Sequence, residues 1–415
     1  MKRVLHLLSQ RPLLTGSGIT LDALVRHAAA AGWEQAIVFG GPREGVPRDL
    51  GGLDGTALKP LFFGGAEDAL DFAVPGMSDV MPYESTRFSA LNSAQVRAYH
   101  DAWRTHLAYV IAEFAPDLIH SHHLWLLSAL VKDVAPGLPV VAHCHATGLR
   151  QMELCPHLAP QVIRGCRRIE RFVLLHDDHR RRLERTLALS RERFQVVGAG
   201  YREELFYFRA GKRRPGRLLY IGKLSQAKGL PWLLDAFEQL LATGLPVELH
   251  VAGSGSGAEA DDLRVRMEAL GPRLTFHGQL AQQELAALMR SASVTVLPSF
   301  YEGLPLVLVE AYACGSRLVT TALPGIADRL AEALAPALEQ VALPPMLTID
   351  RPDPAGLPRF VDNLCEAIRR ALDKPALGDP ERCTPSALES FTWSAVFRRV
   401  EKAWLSARRA VKGTL

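Results

Sequence analysis

The chain has 415 residues, too many for one ordinary core, and its 48% hydrophobic and 22% charged content is that of a globular protein of two or three domains. The net charge of +4 is modest and nucleic acid is not an expected partner; no stretch approaches the roughly 18–20 apolar residues of a membrane span, and Met1-Lys2-Arg3 runs into an apolar strand pattern with no secretory leader. The six cysteines (Cys144, Cys155, Cys166, Cys314, Cys365, Cys383) form no CxxC pair, so reduced thiols and a cytoplasmic location are expected.

Residues 4–8 form an apolar run of strand length, 21–31 an amphipathic helix ending at Gly32, and 35–39 the next strand. Residues 41–90 are rich in Gly and Pro and predict an irregular excursion with one or two strands. A helix over 93–114 and strands over 117–121 and 139–143 follow. Between 164 and 193 there are ten arginines against five acids, which predicts either a solvated helical face or contact with an acidic membrane surface or anionic acceptor. Arginine dominates everywhere, since only nine of the 48 basic residues are lysine.

Residues 209–215 are polar, break any periodicity and mark an interdomain linker. A second series follows: strands over 218–221, 247–252, 274–276, 294–297 and 318–321, and helices over 230–243, 263–270, 282–291 and 307–314. Repeated βαβ order predicts two α/β domains with parallel sheets, residues 1–208 and 209–390, and ligands at a cleft between their carboxyl edges. A last helix over 391–411 carries Trp393, Phe397, Val400 and Trp404 on one stripe.

Four segments carry chemistry. In the first, a strand ends at Leu297, a loop bears Glu302, Gly303, Leu304 and Leu306, and a helix opens at Val307 and carries Glu310, with seven residues between it and Glu302. Free amides at that helix start make an anion site, and carboxylates accept hydrogen bonds from ribose or sugar hydroxyls. In the second, Lys223 and Lys228 stand five apart in a chain poor in lysine, and paired cations stabilise a departing diphosphate without a metal. The third is Thr15-Gly16-Ser17-Gly18, where small residues allow close approach to the backbone. The fourth is His143-Cys144-His145-Ala146-Thr147-Gly148 after a strand.

The run E-G-L-P-L-V-L-V-E-A-Y-A-C-G from Glu302 resembles the E-x7-E motif of glycosyltransferase family 4, the retaining GT-B enzymes. The resemblance implies a GT-B fold of two Rossmann-like domains, the first binding the acceptor and the second the donor, with the last helix crossing back to the first. It implies that Glu302 faces the donor sugar, Glu310 holds the ribose, and Lys223 and Lys228 bind the diphosphate. Lys223 stands where the family usually has Arg. The Gly16 and Gly18 loop replaces the usual Gly-Gly pair, and Ala146 and Gly148 replace the usual Gly and Asp after His145, the residue matching the family's sugar-contacting His. Gly253 falls in the family's glycine turn of the nucleotide domain, and His277 where relatives place the base. Arg202 stands where Asp is usual before the linker.

The implied reaction moves a hexose from a nucleoside diphosphate sugar, by default a UDP-sugar, to an acceptor the sequence does not name, with no cofactor and no metal. A GT-B epimerase or phosphorylase, or a non-catalytic sugar-nucleotide binder, stays open. His120, His122, His123, His143, Cys144, His145, Cys155 and His157 bring many soft ligands into one region, but at no standard zinc spacing.

Overall fold

The computed structural model describes residues 2–79, 81–335, 337–378 and 388–412, so Cys383 lies outside it. Contacts divide the chain into two compact units, residues 1–199 with 393–415, and residues 200–392. Each is an α/β unit built on a parallel sheet.

The first unit holds β1 (Arg3–Leu8), β2 (Glu34–Gly41), β3 (Leu58–Phe62), β4 (Leu118–His122), β5 (Val140–Cys144), β6 (Arg171–Leu174) and β7 (Phe194–Val196). They lie in the spatial order β7-β6-β5-β4-β1-β2-β3, all pairs parallel. The winding reverses between β1 and β4, and loops leaving their carboxyl ends diverge there to open a crevice. Strands buried on both faces read as apolar runs, and Val4, Leu5, Leu7 and Leu8 fit that rule. His6, His120, His122 and His143 do not, for all four are buried inside these strands.

The excursion over 41–90 supplies β3 and two short ladders, Asp49–Leu50 with Leu53–Asp54 and Pro75–Gly76 with Thr86–Arg87. The first helix spans Gly16–Ala30 and so begins earlier than its apolar pattern, because Thr15 caps it and accepts the Gly18 N–H at 3.3 Å. The glycine segment is therefore the helix's first turn and not a separate loop. The arginine-rich stretch forms β6, the helix Asp177–Leu187 and parts of their surroundings. Its arginines meet acids of the same unit: Arg168 with Asp133, Arg180 with Asp177 and Glu184, Arg182 with Glu153. Much of the local charge is thus balanced internally.

The final helix, Trp393–Lys412, packs within this first unit against the helix Gly16–Ala30 and strands β4, β5 and β6. Its anchor is Trp404, whose ring lies 4.9 Å from that of Trp33 and whose indole N–H donates to His120 Nδ1 at 3.1 Å.

The second unit holds β8 (Arg217–Ile221), β9 (Glu248–Ala252), β10 (Leu274–Phe276), β11 (Val294–Leu297), β12 (Arg317–Thr321) and β13 (Leu338–Val341). The order is β10-β9-β8-β11-β12-β13, again all parallel, with the reversal between β8 and β11. β13 and the helix Leu357–Asp373, which packs on the helix Leu230–Ala242, have no counterpart in the sequence reading. The unit opens at Gly200, ahead of the expected 209. The stretch after Gly200 is tied to it: Tyr201 N–H donates to Phe391 O, and Arg290 Nη1 to Leu205 O, both at 2.9 Å.

Among the described residues no helix is long and apolar enough to cross a membrane. Trp404→Ala removes a fully buried ring and leaves His120 Nδ1 without its donor, so a loss of about 3–5 kcal/mol is expected, read as a lowered denaturant midpoint by near-UV circular dichroism.

Candidate active site

In the second unit the carboxyl ends of β8 and β11 bring the two acid- and lysine-bearing loops together. After β8 the chain makes a short turn, Gln226–Lys228, and passes through Gly229 at φ +72°. A Cβ there would stand 2.1 Å from the Pro298 carbonyl oxygen, so only glycine fits. Phe300 N–H donates to Ala227 O at 3.0 Å, and the Thr321 hydroxyl holds the Ser299 carbonyl. This stitching sets Lys228 Nζ 2.7 Å from Glu302 Oε1. Ser299 Oγ donates to the same carboxylate oxygen at 2.8 Å, and Lys228 also donates to Tyr301 O at 3.3 Å. Lys223 is placed through its backbone, whose carbonyl accepts the Tyr220 hydroxyl at 2.6 Å; burial pushes that phenol well above its usual range.

Gly303 and Leu304 lead to the helix Leu306–Ala313. Its first turn, with Leu306 and Val307 half-buried, has Pro305 before it and no side-chain cap; Leu308 N–H turns back to Pro305 O at 3.0 Å, and among the described residues the Leu306 and Val307 N–H groups stay open to an anion. Glu310 sits one turn further. Its carboxyl has no hydrogen-bond or ion-pair partner among the described residues, and burial pushes it from its ordinary value up to about 7. Gly253 takes φ +145° and passes so close to Gly222 that a Cβ would stand 1.8 Å from its carbonyl oxygen. His277, at the end of β10, hydrogen-bonds His250 at 2.8 Å, and burial with Arg217 nearby lowers the pKa of both rings.

In the first unit the site lies at the ends of β1, β4 and β5. Gly16 has open space around its α-carbon, whereas a Cβ on Gly18 would stand 2.5 Å from Leu13 N. Gly18 therefore serves the packing of the helix on the preceding loop. Ser17 Oγ meets His123 Nε2 at 3.0 Å and Gln10 Nε2 at 3.1 Å, and His123 Nδ1 meets Thr147 Oγ1 at 2.9 Å. A buried polar chain thus joins the ends of all three strands. His145, half-buried, meets His122 Nδ1 through its Nε2 at 3.0 Å. Non-glycine residues at positive φ gather here: Leu13 at +69°, His123 at +68° and Ala146 at +72°. Such strain is stored where the surroundings over-determine it, commonly at functional sites. Ala146 holds the backbone its family's glycine takes without cost. Gly148 is fixed by space, since a Cβ would stand 2.6 Å from Leu124 O.

Residues 15–200 match the model of the glycosyl transferase 4-like domain, and residues 215–343 that of the glycosyl transferases group 1. The chain carries a glycosyl transferase 4-like domain followed by a glycosyl transferases group 1 domain. It is 28% identical to the glycogen synthase of Mycobacterium tuberculosis, over 96% of this chain and 92% of that protein. It is 29% identical to the D-inositol 3-phosphate glycosyltransferase of Frankia alni, over 70% of this chain and 74% of that one. Among solved structures it resembles sucrose-phosphate synthase from Thermosynechococcus elongatus, with a TM-score of 0.74 and 18% identity over 99% and 100% of the two chains. Anabaena HepE in complex with UDP-glucose gives a TM-score of 0.65 and 15% identity over 98% and 100%. These likenesses fix the fold as GT-B.

Within this glycosyltransferase the second unit gathers Lys228, Glu302, Gly303 and Leu304 on the two loops flanking the reversal, and Leu306, Val307 and Glu310 on the helix that follows. Ser299 supports the Glu302 carboxylate and Tyr220 the Lys223 carbonyl, while within the first unit Ser17 and His123 join the strand ends; the sequence analysis did not find those roles. Ser17 and His123 are 106 residues apart, and only the β1–β4 adjacency brings them together.

Two outcomes are expected. Ala146→Gly relieves the positive-φ strain and raises the melting temperature, by an amount equivalent to roughly 0.5–1 kcal/mol. Glu310→Gln changes the pH dependence of stability. A raised carboxyl pKa means the folded chain holds a proton that the unfolded chain has lost, so stability falls as pH rises from about 4.5 through about 7. The Gln variant is therefore expected to gain on the parent between pH 5 and pH 8 in thermal melts of ligand-free protein.

Proposed function

We propose that the chain transfers a hexose, with retention at the anomeric carbon, from a nucleoside diphosphate sugar to an acceptor hydroxyl, and that UDP is the preferred nucleotide. The observation that carries this is the Lys228–Glu302 pair at 2.7 Å, followed in the chain by a helix start without a side-chain cap and by Glu310, whose carboxyl has no partner among the described residues. One cation, one carboxylate and open amides at a sheet reversal match the parts of a diphosphate sugar. Lys228 and Lys223 take the diphosphate, Glu302 turns from Lys228 to a sugar hydroxyl, and Glu310 accepts from the ribose diol. The UDP complexes of Anabaena HepE support the choice of base.

The resemblance supports reaction on one face of the sugar. The bond from the anomeric carbon to the leaving phosphate oxygen breaks as the acceptor oxygen bonds the same face, and the hydroxyl proton passes to that phosphate oxygen. The lysines stabilise the charge that develops on the diphosphate, so the transfer needs no metal and no enzyme base. His145, in the first unit, is the group assigned to the donor sugar.

Glu302→Ala is expected to lower kcat/KM by about 100-fold or more, with the thermal shift given by UDP largely kept. Release of UDP from UDP-sugars in the presence of candidate acceptors measures the first and a melting assay the second. Turnover near the parental rate would overturn the assignment of Glu302.

A further inference from the structure

Five histidines line one face of the first sheet. His6 and His120 are register partners on β1 and β4, His122 and His143 on β4 and β5, and His145 follows two residues beyond His143. Neighbouring rings lie 4.2–5.6 Å apart from His120 to His145, and the final helix covers the column through Trp404. Burial holds all five imidazoles below their ordinary pKa, in the neutral form that carries a lone pair.

Among the described residues, five of their nitrogens are buried without a hydrogen-bond partner: His6 Nδ1, His120 Nε2, His122 Nε2, and both nitrogens of His143. Each such atom destabilises the fold when left unsatisfied, because its hydration is lost without replacement. A packed core avoids this expense with leucine or valine at the same positions, and neither fold nor transfer chemistry calls for histidine at 143.

We propose that His122, His143 and His145 form a binding site for a divalent transition metal of the zinc class, with the fourth position open to water. One nitrogen from each ring lies within 4.8 Å of the others. Tetrahedral zinc with bonds of about 2.0–2.1 Å needs spacings of roughly 3.3 Å, and the His122 and His145 nitrogens already stand 3.0 Å apart. These rings now lie 7–24° from parallel, so binding turns them about their side-chain torsions without moving the strands. The metal replaces the His122–His145 hydrogen bond and occupies the uncommitted His143. Half-buried His145 supplies the entry path.

The second three-histidine group, His6, His120 and His122, is the weaker candidate. The indole of Trp404 can only donate, so it takes the His120 Nδ1 lone pair and leaves the hydrogen on Nε2. Gln35 similarly fixes His6: its amide nitrogen donates to Val25 O, so its oxygen faces His6 Nε2–H. That group therefore has one nitrogen of the wrong protonation. His123 is excluded because Ser17 and Thr147 hold both its nitrogens.

Occupancy takes the His145 imidazole away from the donor sugar, so the metal acts as an inhibitor of transfer. That consequence rests on the proposed reaction; the binding itself does not. The test uses the full chain, stripped with a chelator, dialysed, and titrated with Co²⁺ and then Zn²⁺. The expected result is about one equivalent of Co²⁺ with the visible absorption of a tetrahedral site, displaced by Zn²⁺. His143→Gln and His145→Gln are each expected to weaken binding at least about tenfold, and His6→Gln to leave it intact. His145→Gln, at the half-buried rim, keeps the test decisive if His143→Gln does not fold. Absence of the tetrahedral band overturns the proposal, as does binding that survives both substitutions. Loss of binding in His6→Gln overturns the choice of ligands.

Discussion

At Gly229 the backbone passes against the Pro298 carbonyl with no room for a side chain. That contact joins the loop after β8 to the loop after β11, the two strands at which the second sheet reverses its winding. Lys228 immediately precedes the glycine, and Glu302 follows four residues after the proline. Their ion pair is therefore a product of backbone approach, and the side chains merely complete it. A larger residue at 229 forces the loops apart and separates the cation from the carboxylate before any question of chemistry arises.

The first unit solves the same problem differently. Its loops at the reversal are joined by buried hydroxyl, amide and imidazole groups, from Gln10 through Ser17 and His123 to Thr147. Hydrogen-bond chains of this kind fix direction as well as distance. They also hold Leu13, His123 and Ala146 in conformations that an isolated chain avoids. One unit buys its geometry with glycine, the other with polar side chains under strain.

Much of the second unit was legible from sequence. The strands Leu274–Phe276 and Val294–Leu297 and the helix Gln282–Ser291 fall where periodicity puts them, since each is bounded by Gly, Pro or polar turns. The helix Ser93–Phe114 is equally clear, for Asn92 and Gln95 form a capping box at its start. β6 and β7 were not read, because these short strands sit among arginines and no Gly or Pro bounds them. The Glu302 and Lys228 positions were legible because their spacing is a local pattern. The partnership of Ser17 with His123 was not, since it depends on which strands lie side by side. The strain at Ala146 was also hidden: substitution of an expected glycine signals a change but not the backbone angle that makes it matter.

The first unit is discontinuous in the chain, since residues 200–392 intervene before Trp393. Trp404 reaches the column of His6 and His120 only after the whole second unit has been made. During synthesis the histidine-lined sheet face must therefore wait, uncovered, while a complete α/β unit emerges and folds behind it. A chaperone encountered in that interval meets the rings of His6 and His120 that Trp404 later covers.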